Sequence, residues 1–346
     1  MNLPVCPAPI AETETILLGH GSGGRLAADL LQHVIMPAFA NPILARADDQ
    51  ALLAIGKEQL AFTTDSFVVK PIFFRGGNIG SLAVHGTVND LAVGGAEPLF
   101  LSAAFILEEG FPIEQLRTIT ATMQDAARSC GVQIVTGDTK VVERGSCDGI
   151  FINTAGIGVV RTGLTLSANQ ARPGDAVLLS GPIGDHGIAI LAEREGLSFE
   201  SEIASDTAPL HVLTAAMLES GGLLRCMRDP TRGGVASVLT EIARTSNVGI
   251  DLREDAIPVR PEVRGACELL GLDPLYIANE GKLLAIVAAE DAAAVLSAMR
   301  SHRLGEQACL IGTVTAENAG LLTMRTVLGA RRIVDLPAND PLPRIC

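Results

Sequence analysis

The sequence predicts two α/β domains of the α+β kind, residues 1–168 and 169–334, followed by an extended mobile tail over 335–346. Three observations carry that prediction. At 346 residues the chain exceeds one ordinary core, given roughly 150 residues per domain. Runs of helical periodicity alternate with short apolar runs along most of its length. The last segment holds three prolines, which block helix and central strand.

Taken in order, a Pro-rich lead-in and short strand over 1–18 precede a glycine loop, Gly19-His20-Gly21-Ser22-Gly23-Gly24. An amphipathic helix follows, with Leu26, Leu30, Leu31, Val34 and Ile35 on one side and Pro37 as its stop. Strands are expected at 51–55, 60–64 and 67–69, then a helix over 79–93 between two Gly-Gly turns. A strand over 102–107, an amphipathic helix over 112–130 and strands over 133–135 and 149–160 complete the first domain. The boundary lies near Ala171-Arg172-Pro173-Gly174-Asp175. Beyond it, strands at 176–180, 248–252, 282–288 and 308–314 alternate with helices at 187–194, 207–220, 233–246 and 290–301.

Composition excludes several function classes. The 26 basic against 39 acidic residues leave a net charge of −13, the wrong sign for nucleic acid or an anionic membrane. With no Trp and one Tyr, platforms for stacking bases are not expected. Seven cysteines without a Cys-x-x-Cys pair argue against structural zinc and predict reduced thiols in the cytoplasm. The amino terminus lacks a basic n-region, so no signal peptide is expected, and no apolar run reaches membrane-spanning length.

The chemistry-bearing residues are mostly aspartates at strand ends and helix starts: Asp48-Asp49, Asp65, Asp90, Asp138 and Asp229. Such a set suits Mg²⁺ held by few protein ligands plus nucleotide phosphates; any one of them taken alone is favoured as a turn or cap residue. The glycine loop before a helix is a phosphate cradle or an ordinary turn, and is not a Walker A motif. Lys140, two residues past Asp138 and on the same strand face, is a phosphate partner, a base or a solvated lysine. Glu280, in Asn279-Glu280-Gly281-Lys282, is a loop carboxylate or a positioned acid/base. His20 and His186 could touch phosphate or position loops. Cys346 is either a frayed terminal thiol or a group carried on a proline-stiffened arm.

Together, TTDSFVVKPIFFRGGNIG, GTVNDLAVGGAEPLFLS, GDTKVV, NTAGIG, DPTRGG and NEGK resemble the ATP-using superfamily of aminoimidazole ribonucleotide synthetase. Selenophosphate synthetase and thiamine-monophosphate kinase belong to it too. The closing Pro343-Arg344-Ile345-Cys346 resembles one branch, the HypE family of hydrogenase maturation factors, and the likeness runs from about Ile16 to the end. It implies a two-domain aminoimidazole ribonucleotide synthetase-like fold and a homodimer whose N-terminal sheets share a barrel. It implies ATP near that interface under Gly21, Ser22, Gly23 and Gly24, with Asp48, Asp65, Asn89, Asp138 and Asn153 around it. Mg²⁺ would fall to Asp48, Asp65, Asp90, Asp138 and Asp229, with Asp49 an unassigned extra. It further implies that Cys346 takes a carbamoyl group from a HypF-type carbamoyltransferase. ATP-driven dehydration would give a thiocyanate, and the cyano group would pass to iron on a HypC–HypD complex. Two N–H protons must then leave, and Lys140 and Glu280 are the candidate bases. A small-molecule kinase of the same superfamily would have no use for the terminal cysteine; an ATP-switched assembly module would use the tail only for docking.

Overall fold

A computed structural model describes residues 15–21, 24–161, 163–197, 203–336, 342 and 344–346. Ser22 and Gly23 of the glycine loop, the lead-in over 1–14 and the rest of the tail lie outside these residues. The helix after the loop forms, but in three pieces: α1 (Arg25–Leu30), a π turn over Leu31–Ile35, and α2 (Met36–Ala38). Pro37 does not stop it. The wide turn instead precedes the proline, whose ring and missing N–H are incompatible with a regular α turn.

The first domain continues through β1 (Ala51–Ile55), β2 (Glu58–Phe67), a small hairpin of β3 (Phe73–Phe74) and β4 (Gly77–Asn78), and α3 (Ile79–Val93). Then come β5 (Ala96–Glu108), α4 (Ile113–Cys130), β6 (Gln133–Val142) and β7 (Ile150–Val160). Its sheet has the order β1-β2-β7-β5-β6, antiparallel except for the β5–β6 pair that α4 bridges. The strands expected at 60–64 and 67–69 form mainly one continuous β2, and β6 runs seven residues past its expected end at Val135.

Helix α3 is buried on nearly every side, including Ile79, Leu82, Val84, Val88 and Leu91, because it lies between the sheet and the second domain. Its start is set by Asn78, whose side chain accepts from the N–H groups of Gly80 and Ser81, while Ser81 Oγ accepts from the Asn78 N–H. The other face of the sheet leaves Phe62, Phe100, Ile106, Ile134 and Ile157 exposed.

The second domain contains β8 (Ala176–Leu179), α5 (Asp185–Glu195), α6 (His211–Glu219), β9 (Leu224–Arg228), α7 (Gly234–Thr245) and β10 (Gly249–Arg253). It ends with α8 (Pro261–Leu270), β11 (Leu284–Val287), α9 (Ala292–Arg300), β12 (Cys309–Thr315), β13 (Leu322–Arg325) and β14 (Arg331–Val334). The sheet order is β14-β13-β10-β12-β8-β11-β9. One face packs Val177, Leu179 and Ile286 on α7; the other packs Leu178, Ala285 and Val287 on α6 and α9. Strands covered on both faces read as continuous apolar runs, as β8 and β11 do.

Four features were absent from the sequence expectation: the β3–β4 hairpin, β9, α8 and the β13–β14 hairpin. Strand β9 is interrupted by Arg225 and Arg228, and α8 opens on Pro261 with small buried residues, Ala266 and Cys267. Among the described residues no helix is long and apolar enough to cross a membrane.

Asn89 staples the domains together. Its amide donates to the carbonyls of Ala208 and Glu280, and its Oδ1 accepts from the Leu210 N–H. The described tail residues are docked rather than extended: Leu342, Ile345 and Cys346 join a core cluster with Phe67, Ile188 and Ile277.

Removing the α3 cap tests this framework. Asn78→Ala should lower unfolding stability by about 1 kcal/mol, read from the denaturant midpoint at unchanged m-value.

Candidate active site between the domains

On β2, alternation turns Thr63, Asp65 and Phe67 toward α3. The Thr63 hydroxyl lies 2.8 Å from Asp90 Oδ2 and 2.9 Å from the Asp49 carbonyl, so one proton serves both acceptors. Asp90 comes from the last turn of α3 and Asp229 from the residue after β9. Asp49, Asp90 and Asp229 each offer an oxygen within 4.8 Å of the others.

Such crowding changes their ionisation. Burial pushes Asp49 up to about 7 against the attraction of Arg228, and Asp229, Glu241 and Asp48 add to the rise. Asp90 is driven well above the carboxylate range by burial, then by Asp229, Asp49 and Asp65. Asp229 rises to about 6, again chiefly through burial, and burial raises Asp65 despite Arg232. Asp49 Oδ2 is buried without a hydrogen bond, although Arg228 Nε stands 2.6 Å away in a misaligned ion pair. Convergent hard oxygens, one of them orphaned, fit a divalent cation such as Mg²⁺.

Adjacent Asp48 does something else. It accepts from Ser167 Oγ at 2.9 Å and the Ala168 N–H at 3.2 Å and pairs with Arg46 at 3.0 Å, fixing the segment that leads into the second domain. Asp49, not Asp48, stands with Asp90 and Asp229.

Asp138 and Lys140 stand elsewhere, on the exposed edge strand β6. They pair with one another at 2.6 Å, and the hydrogen bond from Lys140 holds Asp138 below the usual carboxylate range. Asn153 on β7 donates to the Asp65 carbonyl, Ser66 Oγ and Thr64 Oγ1, bracing the Asp65 backbone. The amide of Asn89 is committed to the domain staple. Gly24 precedes α1, and the Gly21 carbonyl accepts from Arg232 Nη1 at 3.0 Å, laying that part of the glycine loop on the DPTRGG turn. His20 Nδ1 accepts from the Leu17 N–H within its own turn.

That turn needs glycine: Gly234 has φ +62°, and a Cβ there would lie 2.5 Å from the Leu275 carbonyl oxygen. It also carries Arg232, which sequence reading passed over although it lies three residues from Asp229. The negative charge at Cys346 is the largest influence raising the Arg232 pKa, opposed by burial and followed by Asp65, Glu280 and Asp90. Glu280 faces the same cleft. It is buried, its Oε1 lacks a hydrogen bond, and burial followed by Asp229, Asp65 and Asp206 lifts its pKa well above normal, with Arg232 opposing. Its N–H donates to Asp206 Oδ1 at 3.1 Å, and Gly281 lets the chains touch, since a Cβ would sit 1.9 Å from the Asp206 carbonyl oxygen.

Beside this wall, Lys282 pairs with Asp206 at 2.9 Å. Buried Asp185 lacks a hydrogen bond on either oxygen and has Arg260 Nε at 3.4 Å. Burial and then Asp206 push it up to about 6, against Arg260 and Lys282, with Glu262 adding. Its unfolded value is 3.8, so the folded state holds the proton longer. The stability linked to that proton is complete below about pH 4 and lost as pH rises toward about 6. Asp185→Asn should therefore flatten the fall in melting temperature between pH 4 and 7; an unchanged pH slope would contradict this environment.

The AIR synthase related protein models match this chain, the N-terminal domain over residues 47–160 and the C-terminal domain over 172–324. It is 57% identical over 330 residues to the Carbamoyl dehydratase HypE of Bradyrhizobium diazoefficiens, covering 95% of each chain. A crystal structure of a HypE–HypF complex matches with TM-score 0.85 and 50% identity, over 89% of this chain and 99% of that one. A HypE structure in complex with ATP matches with TM-score 0.81 and 48% identity, over 96% and 100%.

Proposed function

The chain belongs to the carbamoyl dehydratase HypE family within the AIR synthase related proteins, and from that membership we propose that it dehydrates an S-carbamoyl group on Cys346 to a thiocyanate using ATP. One observation carries the reading. The described tail tip folds into the interdomain cleft, where Arg232 is shared electrostatically by Cys346, Asp65, Glu280 and Asp90. A HypF-type carbamoyltransferase supplies the carbamoyl group, in keeping with the HypE–HypF complex, and a HypC–HypD complex takes the cyano group for hydrogenase iron. ATP binding accords with the ATP-bound relative.

In the proposed reaction the carbamoyl oxygen attacks the γ-phosphoryl group and ADP leaves. Phosphate then departs with the C–O bond electrons while two N–H protons are lost, giving S–C≡N. Asp49, Asp90 and Asp229 would hold Mg²⁺, which would supply charge neutralisation at the phosphate oxygens. The Gly21–Arg232 contact brings the glycine loop onto the same turn. Arg232 offers its guanidinium to developing negative charge near Cys346. Glu280 is the proton acceptor: a carboxylate raised by burial is a strong base once ionised, and Arg232 favours its ionised form. Within one protomer Lys140 stands apart on β6, and the second-base role requires another copy to close over that face. The exposed Phe62, Phe100, Ile106 and Ile157 support a homodimer formed by the outer faces of the N-terminal sheets.

Mass spectrometry of the C-terminal peptide tests this. Incubation with a HypF-type carbamoyl donor should add one carbamoyl group to Cys346, and ATP with Mg²⁺ should then remove one water. A modified tail that never loses water would sink the reading. Cys346→Ala should abolish product and leave nucleotide binding unchanged. Glu280→Gln should accept the carbamoyl group normally but dehydrate it roughly 100-fold or more slowly.

A further inference from the structure

The docked tail resembles a bound peptide more than a terminus packed by default. The Val68 N–H donates to a Cys346 main-chain oxygen at 3.0 Å and the Lys70 N–H to the Arg344 carbonyl at 3.3 Å, a short main-chain pairing along 68–70 just past the end of β2. Two further donors reach the tail from side chains. His186 Nε2 lies 2.8 Å from the Ile345 carbonyl, and its Nδ1 lies 2.7 Å from Ser205 Oγ. A carbonyl only accepts, so Nε2 carries the proton and Ser205 fixes the tautomer. Arg194 Nη2 donates to the Arg344 carbonyl at 2.8 Å and its Nε to the Lys70 carbonyl at 2.9 Å, bridging both sides of the pairing.

The tail's own side chains are sorted as well. Arg344 adopts φ +56°, uncommon for a residue with a Cβ, and so returns its guanidinium to the groove. There its Nε donates to the Val68 carbonyl at 3.0 Å, its Nη1 pairs with Asp148, and it lies over the Phe151 ring at 5.8 Å. Ile345 is buried in the core cluster. Main-chain pairing that gives affinity, with separate pockets that read side chains, is how sheet-edge sites recognise peptides.

We propose that Val68–Lys70, Asp148, Phe151, His186 and Arg194 form a peptide-binding groove that reads the C-terminal Arg-Ile-Cys by side chain and accepts it as a separate ligand. Asp148 sets the preference for arginine two residues before the end. The proposal deepens the reading of Cys346 as the carrier, but its test reads binding alone and stands whether or not the thiol is modified.

The experiment uses the intact protein and a thiol-free pentapeptide, Leu-Pro-Arg-Ile-Ser. Cys346 is 8% exposed when docked, so its maleimide labelling, followed by mass spectrometry of the C-terminal fragment, reports the undocked fraction. A peptide that occupies the groove raises that fraction by 1 + [L]/Kd, so labelling should accelerate about tenfold at ten times its Kd. The same peptide with glutamate in place of arginine should have no effect. In the Asp148→Arg chain the preference should reverse, with the glutamate peptide becoming the accelerator. Labelling that ignores both peptides, or responds equally to both in the unaltered protein, would overturn the proposal.

Discussion

Asp49, Asp65, Asp90, Asp229 and Glu280 share one cleft between two domains, and in low dielectric they cannot all be ionised without opposing charge. Much of the surrounding architecture answers that constraint. Arg228 leaves the end of β9 to meet Asp49, and Arg232, one short turn later, serves Asp65, Asp90 and Glu280 together. The turn that allows both arginines is possible because two glycines follow it. Asn89, one residue before Asp90, bonds to the Glu280 carbonyl, so the acidic residues of the two domains are fixed by backbone contacts rather than by mutual attraction. A cleft built this way binds cations and polyanion–cation pairs by relieving strain already present. That is a more economical source of affinity than ordering a flexible site on binding.

The same constraint couples the two halves of the proposed chemistry. Repulsion from Asp229 and Asp65 helps hold the proton on Glu280 while the acidic wall lacks a cation. Neutralising the wall lowers that repulsion and makes the ionised, proton-accepting form of Glu280 more accessible. Activation of the phosphoryl group and readiness of the base therefore depend on one electrostatic event. Deprotonation of Glu280 before the wall is neutralised is disfavoured by those same carboxylates.

How far the sequence foresaw this depended on whether the signal was local. Helices α3 and α4 and strands β1, β7, β8 and β11 declare themselves through continuous runs of periodicity and Gly punctuation. Strand β9 does not, because its arginines are pointed at Asp175 and Asp49, partners remote in sequence. Asp48 and Asp49 are indistinguishable as neighbouring letters; only the packing of Ser167 against one and Asp90 against the other separates them. Arg232 was hidden for the same reason, since its importance lies in four charges contributed by four distant segments. Glu280 was legible as a candidate from its polar turn, but its burial follows from the Asp206 segment closing over Gly281.

The proline-rich tail shows why a local property can be read correctly and still mislead about location. Proline stiffens a segment and removes donors, which favours extension but says nothing of what the segment lies against. Here Leu342, Ile345 and Cys346 carry apolar surface into a core cluster shared by the two domains, and main-chain oxygens of residues 344–346 meet donors from Val68, Lys70, His186 and Arg194. Stiffness lowers the entropy lost on docking, because fewer conformers must be abandoned. It does so equally for docking onto another surface. An arm that must visit two sites gains from being cheap to immobilise at both, provided neither grip is tight. The docked grip is made of separable contacts: a short backbone pairing, one histidine, one bridging arginine and a partly exposed ion pair at Asp148. Such a set can be broken stepwise, so a thiol that is buried while docked can still be released on the timescale of local unfolding rather than of global unfolding.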